Sequence, residues 1–177
     1  MRTLFLTITL LSSMMAYAGH VPELETVEKV DINRYIGKWY EIARFDQKFQ
    51  KNCTAVTANY SIKKNGNLKV VNTCRKGNPN GKLKVAKGVA RVSDKVTNAK
   101  LKVQFFLRFL NIGFLSGNYW ILALGENYEY AMVGDPTRKF LWILNRESEM
   151  DERVYLELVQ KAETLGFDTT KLQRTVH

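Results

Sequence analysis

The sequence reads TAVTANYSI at 54–62, KKNGN at 63–67 and LKVVNTC at 68–74, and this stretch decides the fold class. Apolar and polar residues alternate on both sides of an Asn-Gly pair, a pattern that is typical of a β-hairpin. One bulge residue at Gly66 aligns the apolar faces of the two predicted strands. In this register the opposing residues are Ile62 and Leu68, Tyr60 and Val70, and Val56 and Cys74.

Six further runs have the composition of short strands. They lie at 37–46, 83–92, 101–108, 118–124, 128–134 and 139–146. With the hairpin they give eight strands at spacings of about 10 residues and no helix between them, which indicates an antiparallel meander. Eight such strands can close into a barrel whose interior holds one small ligand. The sequence therefore predicts an all-β fold, an eight-stranded antiparallel up-and-down barrel.

One α-helix is predicted after the last strand, at about 151–165. Asp151 can cap its first turn and Gly166 can end it. An apolar stripe at helical spacing consists of Val154, Leu158, Ala162 and Leu165. We expect this helix to pack on the outside of the barrel, in a single domain that spans 35–177 after a short N-terminal lead at 19–34.

Histidine and cysteine are scarce in the 177 residues, and this excludes several kinds of site. The two histidines, His20 and His177, lie near the two ends of the chain, so neither is expected in a packed site. Ser-His and Cys-His nucleophile pairs and His-rich zinc sites all need an oriented imidazole. Two cysteines are too few for a thiolate zinc cluster. We expect no metal and no cofactor.

The N-terminus has the pattern of a secretory signal peptide over 1–18. Arg2 supplies the positive charge, an apolar run follows, and Ala16-Tyr17-Ala18 is a small-x-small cleavage site. Residue 19 is Gly and not Cys, so no lipid anchor is expected after cleavage. The predicted location is the periplasm or outside the cell.

Cys53 and Cys74 are the only cysteines of the chain. In an oxidising compartment one intramolecular disulfide is the economical prediction, and two free thiols are the alternative. Such a bond would stabilise the fold by about 3 kcal/mol. The hairpin register leaves Cys53 beyond Val56, so we expect the chain before Thr54 to curl back for the bond to close.

The segment GKWYEIARF at 37–45 resembles the first-strand motif of the lipocalin family. The segments YWILA at 119–123, YEYAMV at 128–133 and LWILNR at 141–146 follow in the order of that family. The likeness covers nearly all of residues 30–172 and extends in particular to bacterial lipocalins of the cell envelope and, more distantly, to apolipoprotein D. It implies a barrel with one closed and one open end that carries a small apolar ligand.

The resemblance also implies roles for individual residues. Trp39 would sit at the closed end with Arg146 across its ring, a structural pair worth about 1–2 kcal/mol. By strand alternation, the face of Trp39 would include Ala43, and the face of Arg146 would include Leu144. The predicted ligand-binding residues are Glu41, Phe45, Val56, Tyr60, Val103, Phe105, Trp120, Phe140 and Trp142.

Three points about this lining stay open. Tyr119 and Trp120 have opposite parity, so the inward face of 118–124 is not decided. A buried Glu41 needs a partner such as a tyrosine hydroxyl, an arginine or a ligand head group. A solid core without a cavity is the alternative to a lined pocket.

Four predicted loops share one end of an up-and-down barrel, at about 46–54, 75–82, 109–117 and 135–139, and in lipocalins this is the open end. Their basic residues outnumber their acidic ones, and the third loop is apolar. The predicted mouth or membrane contacts are Arg75, Lys76, Arg108, Phe109, Phe114, Leu115 and Arg138. We hypothesise that this mouth docks on anionic lipid. The alternative is an apolar loop folded inward as a lid, with solvated lysines around it.

The predicted function is binding, storage or transport of a small hydrophobic ligand, a fatty acid or a lysophospholipid, in the bacterial envelope. An enzyme acting on lipids or carotenoids is one alternative, but the predicted interior offers only Glu41 and tyrosine hydroxyls. A polyanion binder is another, suggested by the formal charge of +10. Secretion argues against nucleic acid, and the lysines are not interleaved with exposed aromatics along one groove. The sequence is compatible with a monomer or a homodimer.

Overall fold

Eight antiparallel strands close into a barrel in the computed structural model, which describes residues 23–105 and 115–177. The strands are β1 (Gly37–Phe45), β2 (Cys53–Ile62), β3 (Leu68–Lys76), β4 (Leu83–Val92), β5 (Lys100–Phe105), β6 (Leu115–Leu124), β7 (Tyr130–Gly134) and β8 (Leu141–Asn145). Each pairs with the next, and β1 pairs with both β8 and β2. The predicted all-β class and up-and-down barrel are confirmed.

The residues before β1 cover one end of the barrel, which we call the closed end. Asp31 caps the single-turn helix α1 (Ile32–Tyr35) by accepting a hydrogen bond from the Asn33 backbone. Val30 is fully buried there, and its backbone N–H donates to the Thr97 carbonyl at 2.7 Å. The loops after β1, β3 and β7 lie at the other end, which we call the open end.

The β2–β3 hairpin has the predicted bulged register. Tyr60 lies opposite Val70 and Ile62 opposite Leu68. The extra residue falls in the turn, where Gly66 has a φ of +78° that an L side chain rarely adopts. The apolar alternation and the glycine of the turn therefore specify the same strand register.

The predicted disulfide between Cys53 and Cys74 is present, with the two Cα atoms 5.4 Å apart. The expectation that the chain before Thr54 curls back to close the bond is wrong, because Cys53 is itself part of a paired strand. Instead β2 begins at Cys53 and stays paired with β3, and the register shifts between Thr54 and Thr57. A β-bulge, with Ala55 at a φ of 44°, thus brings the cysteines together.

A second β-bulge interrupts the alternation of β1 between Glu41 and Ala43. Before it, Trp39 and Glu41 face the interior; after it, Ala43 and Phe45 face outward. The prediction that Ala43 and Phe45 point inward is therefore wrong. The Phe45 ring packs against Phe167 outside the barrel, at 6.2 Å between ring centroids.

The pairing of β5 with β6 decides which face of 118–124 is internal. Leu101 lies opposite Tyr119 and Lys100 opposite Trp120. Because Leu101 belongs to the core at the closed end, Tyr119 faces inward. The prediction that Trp120 lines the cavity is wrong: its ring lies outside under the Lys100 ammonium, 4.2 Å from the ring centroid.

The predicted C-terminal helix, α2 (Glu152–Thr164), is confirmed and packs on the outside of the barrel. The Asp151 carboxylate accepts hydrogen bonds from two backbone N–H groups of the first turn. Gly166 follows the helix with a φ of +83°. Tyr155, Leu158 and Ala162 are the buried residues of α2 and belong to an outer apolar cluster between helix and barrel wall.

A ninth strand, β9 (Leu172–Arg174), was not predicted and pairs with the end of β1. The residues after it lie between β1 and β2: the Thr175 backbone donates to the Ile42 carbonyl, and Ala55 donates to the Val176 carbonyl. His177, not expected in a packed site, is exposed, and its Nε2 lies 2.8 Å from the Glu41 carbonyl oxygen. The C-terminus therefore forms part of the barrel wall.

No helix in residues 23–105 and 115–177 is both long and apolar enough to cross a bilayer.

Candidate ligand-binding site

A cavity of about 150 Å³ occupies the open half of the barrel. Its wall is formed mainly by inward residues of β2, β5, β6 and β8. Seven of the nine predicted ligand-binding residues line it: Glu41, Val56, Tyr60, Val103, Phe105, Phe140 and Trp142. Lining residues that were not in the predicted set are Phe49, Gln50, Thr57, Ala58, Asn72, Ser116, Gly117, Asn118, Tyr119 and Leu144.

A smaller cavity of about 70 Å³ adjoins the first and shares five lining residues with it, Phe49, Gln50, Val56, Asn72 and Phe105. The disulfide and the half-buried Lys84 line this second space. Lys84 lies opposite Cys74 on the inward face of β4. Among the described residues, the lining of the open end thus combines apolar side chains with the lysine side chain of Lys84.

Glu41 has its partners within the protein. Its carboxylate accepts a hydrogen bond from Arg44 Nη1 at 2.6 Å, from Gln50 Nε2 at 2.8 Å and from Thr175 Oγ1 at 2.7 Å. The other Arg44 terminal nitrogen donates to the Cys53 carbonyl at 3.2 Å. Both charged side chains are buried, so this ion pair forms a fixed polar element of the cavity wall.

Sequence reasoning missed Arg44, because strict alternation places it on the face opposite Glu41. The bulge after Glu41 removes that alternation and turns the guanidinium back towards the carboxylate. A bulge of this kind has no fixed sequence signature. Only the short spacing of the acid and the base, three residues apart, could have suggested the pair.

Three aromatic side chains stand at the entrance. Phe140 stacks on Trp142 with ring centroids 6.0 Å apart, and Phe49 lies 6.4 Å from Phe140. The Trp142 Nε1 donates to the Gln50 side-chain oxygen at 3.1 Å. Phe140 remains 36% exposed, so the entrance presents apolar surface to whatever enters.

Three tyrosine hydroxyls meet where the cavity ends and the closed-end core begins. The Tyr119 hydroxyl lies 2.7 Å from that of Tyr35 and accepts a hydrogen bond from Tyr60 at 3.0 Å. Burial raises the pKa of Tyr60 to about 12 and raises the pKa of Tyr35 and Tyr119 well above the ordinary value. The floor of the cavity is therefore polar but uncharged.

At the closed end the Arg146 guanidinium covers the Trp39 ring, with its Cζ atom 3.7 Å from the ring centroid. The same guanidinium donates to the backbone carbonyls of Tyr128, Lys38, Arg34 and Tyr35 at 2.8–3.3 Å. Trp39 is fully buried. The expected contact is present, and neither residue lines either cavity.

The predicted mouth cations lie in different surroundings. Lys76 is exposed beside the open end, and Arg75 donates to the Gly81 carbonyl at 3.3 Å. Arg138 lies in the loop after β7 at the open end, and its Nε donates to the Leu165 carbonyl at 2.6 Å beside the end of α2. The predicted signal peptide and the predicted contacts Arg108, Phe109 and Phe114 lie outside the described residues, as does the side chain of Leu115.

The fold and the site together define a class of protein. A closed antiparallel barrel with one packed end and an apolar cavity at the other is the architecture of a small-ligand carrier.

Comparison with known proteins identifies the family within this class. A family model described as a lipocalin-like domain matches residues 30–177, and the chain belongs to the lipocalin family. It is 40% identical to temperature-induced lipocalin-1 of Arabidopsis thaliana over 86% of this chain and 82% of that protein. It is 40% identical to the outer membrane lipoprotein Blc of Escherichia coli K12, over 82% and 78% of the two chains. Mouse apolipoprotein D is 34% identical over 90% and 83%.

A solved structure shows the same fold. Insecticyanin from the tobacco hornworm Manduca sexta aligns with a TM-score of 0.71 at 19% identity, over 91% of this chain and 88% of that one. At this identity the likeness concerns the fold alone. Members of the lipocalin family bind small hydrophobic ligands and are typically binding or transport proteins.

Proposed function

We propose that the protein binds and carries a lipid with an acyl chain, a fatty acid or a lysophospholipid. The observation that carries this proposal is the cavity at the open end, whose walls are mostly apolar and aromatic. Burial of an acyl chain in such a space gains about 0.8 kcal/mol for each CH₂ group removed from water. The polar lining residues include Gln50 beside the entrance and Tyr60 and Tyr119 at the floor.

The rim supports a ligand with an anionic head group. Glu41 and Arg44 neutralise each other, so the ion pair adds no net charge to the wall. Lys84 lines the adjoining smaller cavity beside the disulfide. A carboxylate or phosphate placed there would lie near an ammonium group while its chain extends towards Tyr60 and Tyr119.

Tryptophan fluorescence tests both binding and position, because the three tryptophans occupy different places. Trp142 lines the cavity, whereas Trp120 lies on the outer face and Trp39 in the closed-end core. We expect a delipidated sample to change its emission when hexadecanoic acid or 1-palmitoyl lysophosphatidylethanolamine is added. The change should disappear in Trp142→Phe and persist in Trp120→Phe, with calorimetry confirming that both variants still bind.

Two results would contradict the proposal. One is the absence of calorimetric binding of either lipid to the delipidated protein. The other is an emission change that persists in Trp142→Phe and is lost in Trp120→Phe, since this would place the lipid on the outer wall.

The location and the membrane contact are further parts of the proposal. We propose that the mature chain is periplasmic or secreted and that its mouth docks on anionic lipid to load or release the ligand. Four lysines of the open-end loops support this, because all are exposed: Lys48, Lys51, Lys76 and Lys82. Each basic residue near an anionic surface contributes about 1 kcal/mol.

Vesicle sedimentation tests the docking. The wild type should sediment with vesicles that contain phosphatidylglycerol and not with pure phosphatidylcholine, and Phe114→Ser with Leu115→Ser should reduce the bound fraction. The matched control is Ile62→Ser with Val96→Ser, which removes two exposed apolar side chains near the closed end. Equal sedimentation of all three proteins with both kinds of vesicle would overturn the docking proposal without affecting ligand binding.

A further inference from the structure

The three tyrosine hydroxyls at the cavity floor offer three hydrogen-bond donors, but only two hydrogen bonds use them. Tyr35, Tyr60 and Tyr119 carry one O–H each, and only two hydrogen bonds join them. Within the described residues these hydroxyls make no other hydrogen bond. Whichever way the Tyr35–Tyr119 bond is directed, one of the three hydroxyl protons therefore has no acceptor.

When Tyr35 donates to Tyr119, the unused donor is the Tyr119 hydroxyl, which lies at the boundary of the cavity. Tyr60 and Tyr119 line the cavity, and Tyr35 stands behind them with its ring 5.0 Å from that of Trp39. Tyr60 donates its own proton to Tyr119, so the unused proton belongs to Tyr119 or to Tyr35. A buried donor without an acceptor is costly, and an oxygen brought by a ligand would remove that cost.

We infer that this tyrosine cluster is a binding subsite for a neutral oxygen acceptor at the deep end of the ligand, such as a keto or ester carbonyl. The inference rests on the proposed function, since it names the second end of the lipid that the cavity takes. The head group remains at the mouth. At the floor, the neutral oxygen of the ligand accepts a hydrogen bond from the unused tyrosine O–H.

The surroundings favour a neutral oxygen over a carboxylate. Burial raises the pKa of all three tyrosines, which means that this position disfavours negative charge. The Arg146 guanidinium is turned towards the Trp39 ring and towards backbone carbonyls. A carboxylate at the floor would lose its hydration without gaining a cation as a hydrogen-bond donor.

A series of matched lipids tests the inference by calorimetry. Saturated fatty acids of increasing chain length are compared with acids of the same length that carry a keto group at the penultimate carbon. A keto group is an acceptor only, and in a purely apolar pocket it weakens binding. We expect the keto acid to bind at least as tightly as the plain acid at the one chain length that reaches the floor.

The variants Tyr60→Phe with Tyr119→Phe remove the two hydroxyls that line the cavity and keep both rings. The affinity ratio of keto acid to plain acid should fall by about tenfold in this double variant. It should stay unchanged in Tyr130→Phe, which removes a hydroxyl next to the outer cluster. If the double variant does not fold, the chain-length series on the wild type remains the test.

A keto acid that binds more weakly than the plain acid at every length, by the same factor in wild type and double variant, overturns the inference. That result would mean that a water molecule or no group at all meets the unused proton. If the plain acids still bind, the proposed function stands although the subsite fails. If the plain acids do not bind either, the proposed function fails with it.

Discussion

At the closed end Trp39 is fully buried between Tyr35 and the Arg146 guanidinium, whereas at the open end Trp142 is only half-buried beside an empty space. Both indoles donate a hydrogen bond, but Trp39 donates to a backbone carbonyl and Trp142 to a side chain. A backbone partner fixes the ring, while a side-chain partner can move with it. The same type of residue thus stabilises the fold at one end and lines a binding space at the other.

The two ends also hold their buried cations differently. Arg146 donates to four carbonyls of the closed end and faces an aromatic ring. Arg44 at the open end relies on the carboxylate of Glu41, which in turn relies on Thr175 of the C-terminal segment. The closed-end cation therefore depends on backbone carbonyls that lie far from it in sequence. The open-end cation depends mainly on a side-chain carboxylate three residues away.

Loss of the buried ion pair should have the largest effect. Glu41→Gln leaves Arg44 charged, buried and without its counter-ion, which costs about 3–5 kcal/mol of unfolding free energy. Thr175→Ala removes one hydrogen bond from the same carboxylate and should cost about 1 kcal/mol. Urea unfolding measures both, and a Glu41→Gln protein as stable as the wild type would show that the open end does not depend on this pair.

Loss of the closed-end cation should come next. Arg146→Ala removes the cover of Trp39 and four charge-assisted hydrogen bonds, and we expect a cost of about 3 kcal/mol. Arg153→Ala on the exposed face of α2 is the matched control and should change stability by about 0.5 kcal/mol or less. Ligand affinity should not change in either variant. A variant at Arg146 that loses affinity while keeping its stability would contradict the division between the two ends.

A smaller loss of stability is expected at high pH, and it arises from the tyrosines at the boundary between the two ends. The pKa of Tyr60 is about 12 in the folded protein against 10.0 for an unperturbed tyrosine. The unfolded chain therefore releases this proton first, so the tyrosine contribution to stability is complete below pH 10 and is lost as the pH rises to about 12. Tyr60→Phe should reduce that loss.

Absorbance of tyrosinate at alkaline pH provides an independent check. The folded protein should show fewer ionised tyrosines near pH 10 than the urea-unfolded chain at the same pH. If both forms ionise all their tyrosines together, the three hydroxyls are not buried in solution as described.

The local signals of the sequence were sufficient for much of this architecture. Alternation and the Asn-Gly turn predicted the strands and the β2–β3 register, because both act over a few neighbouring residues. The lipocalin resemblance placed Trp39 and Arg146 together, and the structure has that contact. Seven of the predicted ligand-binding residues line the cavity, because the alternation of inward and outward side chains along their strands is as predicted.

The errors arise where a long-range pairing overrules local alternation. Phe45 was misplaced because the bulge in β1 exchanges the two faces of the strand, and nothing in the local composition marks it. Trp120 was misplaced because Tyr119 and Trp120 are both aromatic, so only the pairing with β5 decides which faces inward. The strand β9 has too few residues and too little alternation to be recognised, and it forms because β1 offers a free edge.

The most direct measurement compares a larger side chain placed at each of the two ends, by its effect on ligand affinity and on unfolding free energy. A side chain added at Gly117 would meet no atom within 4 Å and would project into the cavity space, whereas Ala131 is completely buried in the closed-end core. We expect Gly117→Leu to weaken hexadecanoic acid binding by at least about tenfold and to change unfolding free energy by about 1 kcal/mol or less. Ala131→Leu should cost about 1–3 kcal/mol and leave the affinity unchanged. Wild-type affinity in Gly117→Leu would contradict the account, because the ligand would then not occupy the open-end cavity.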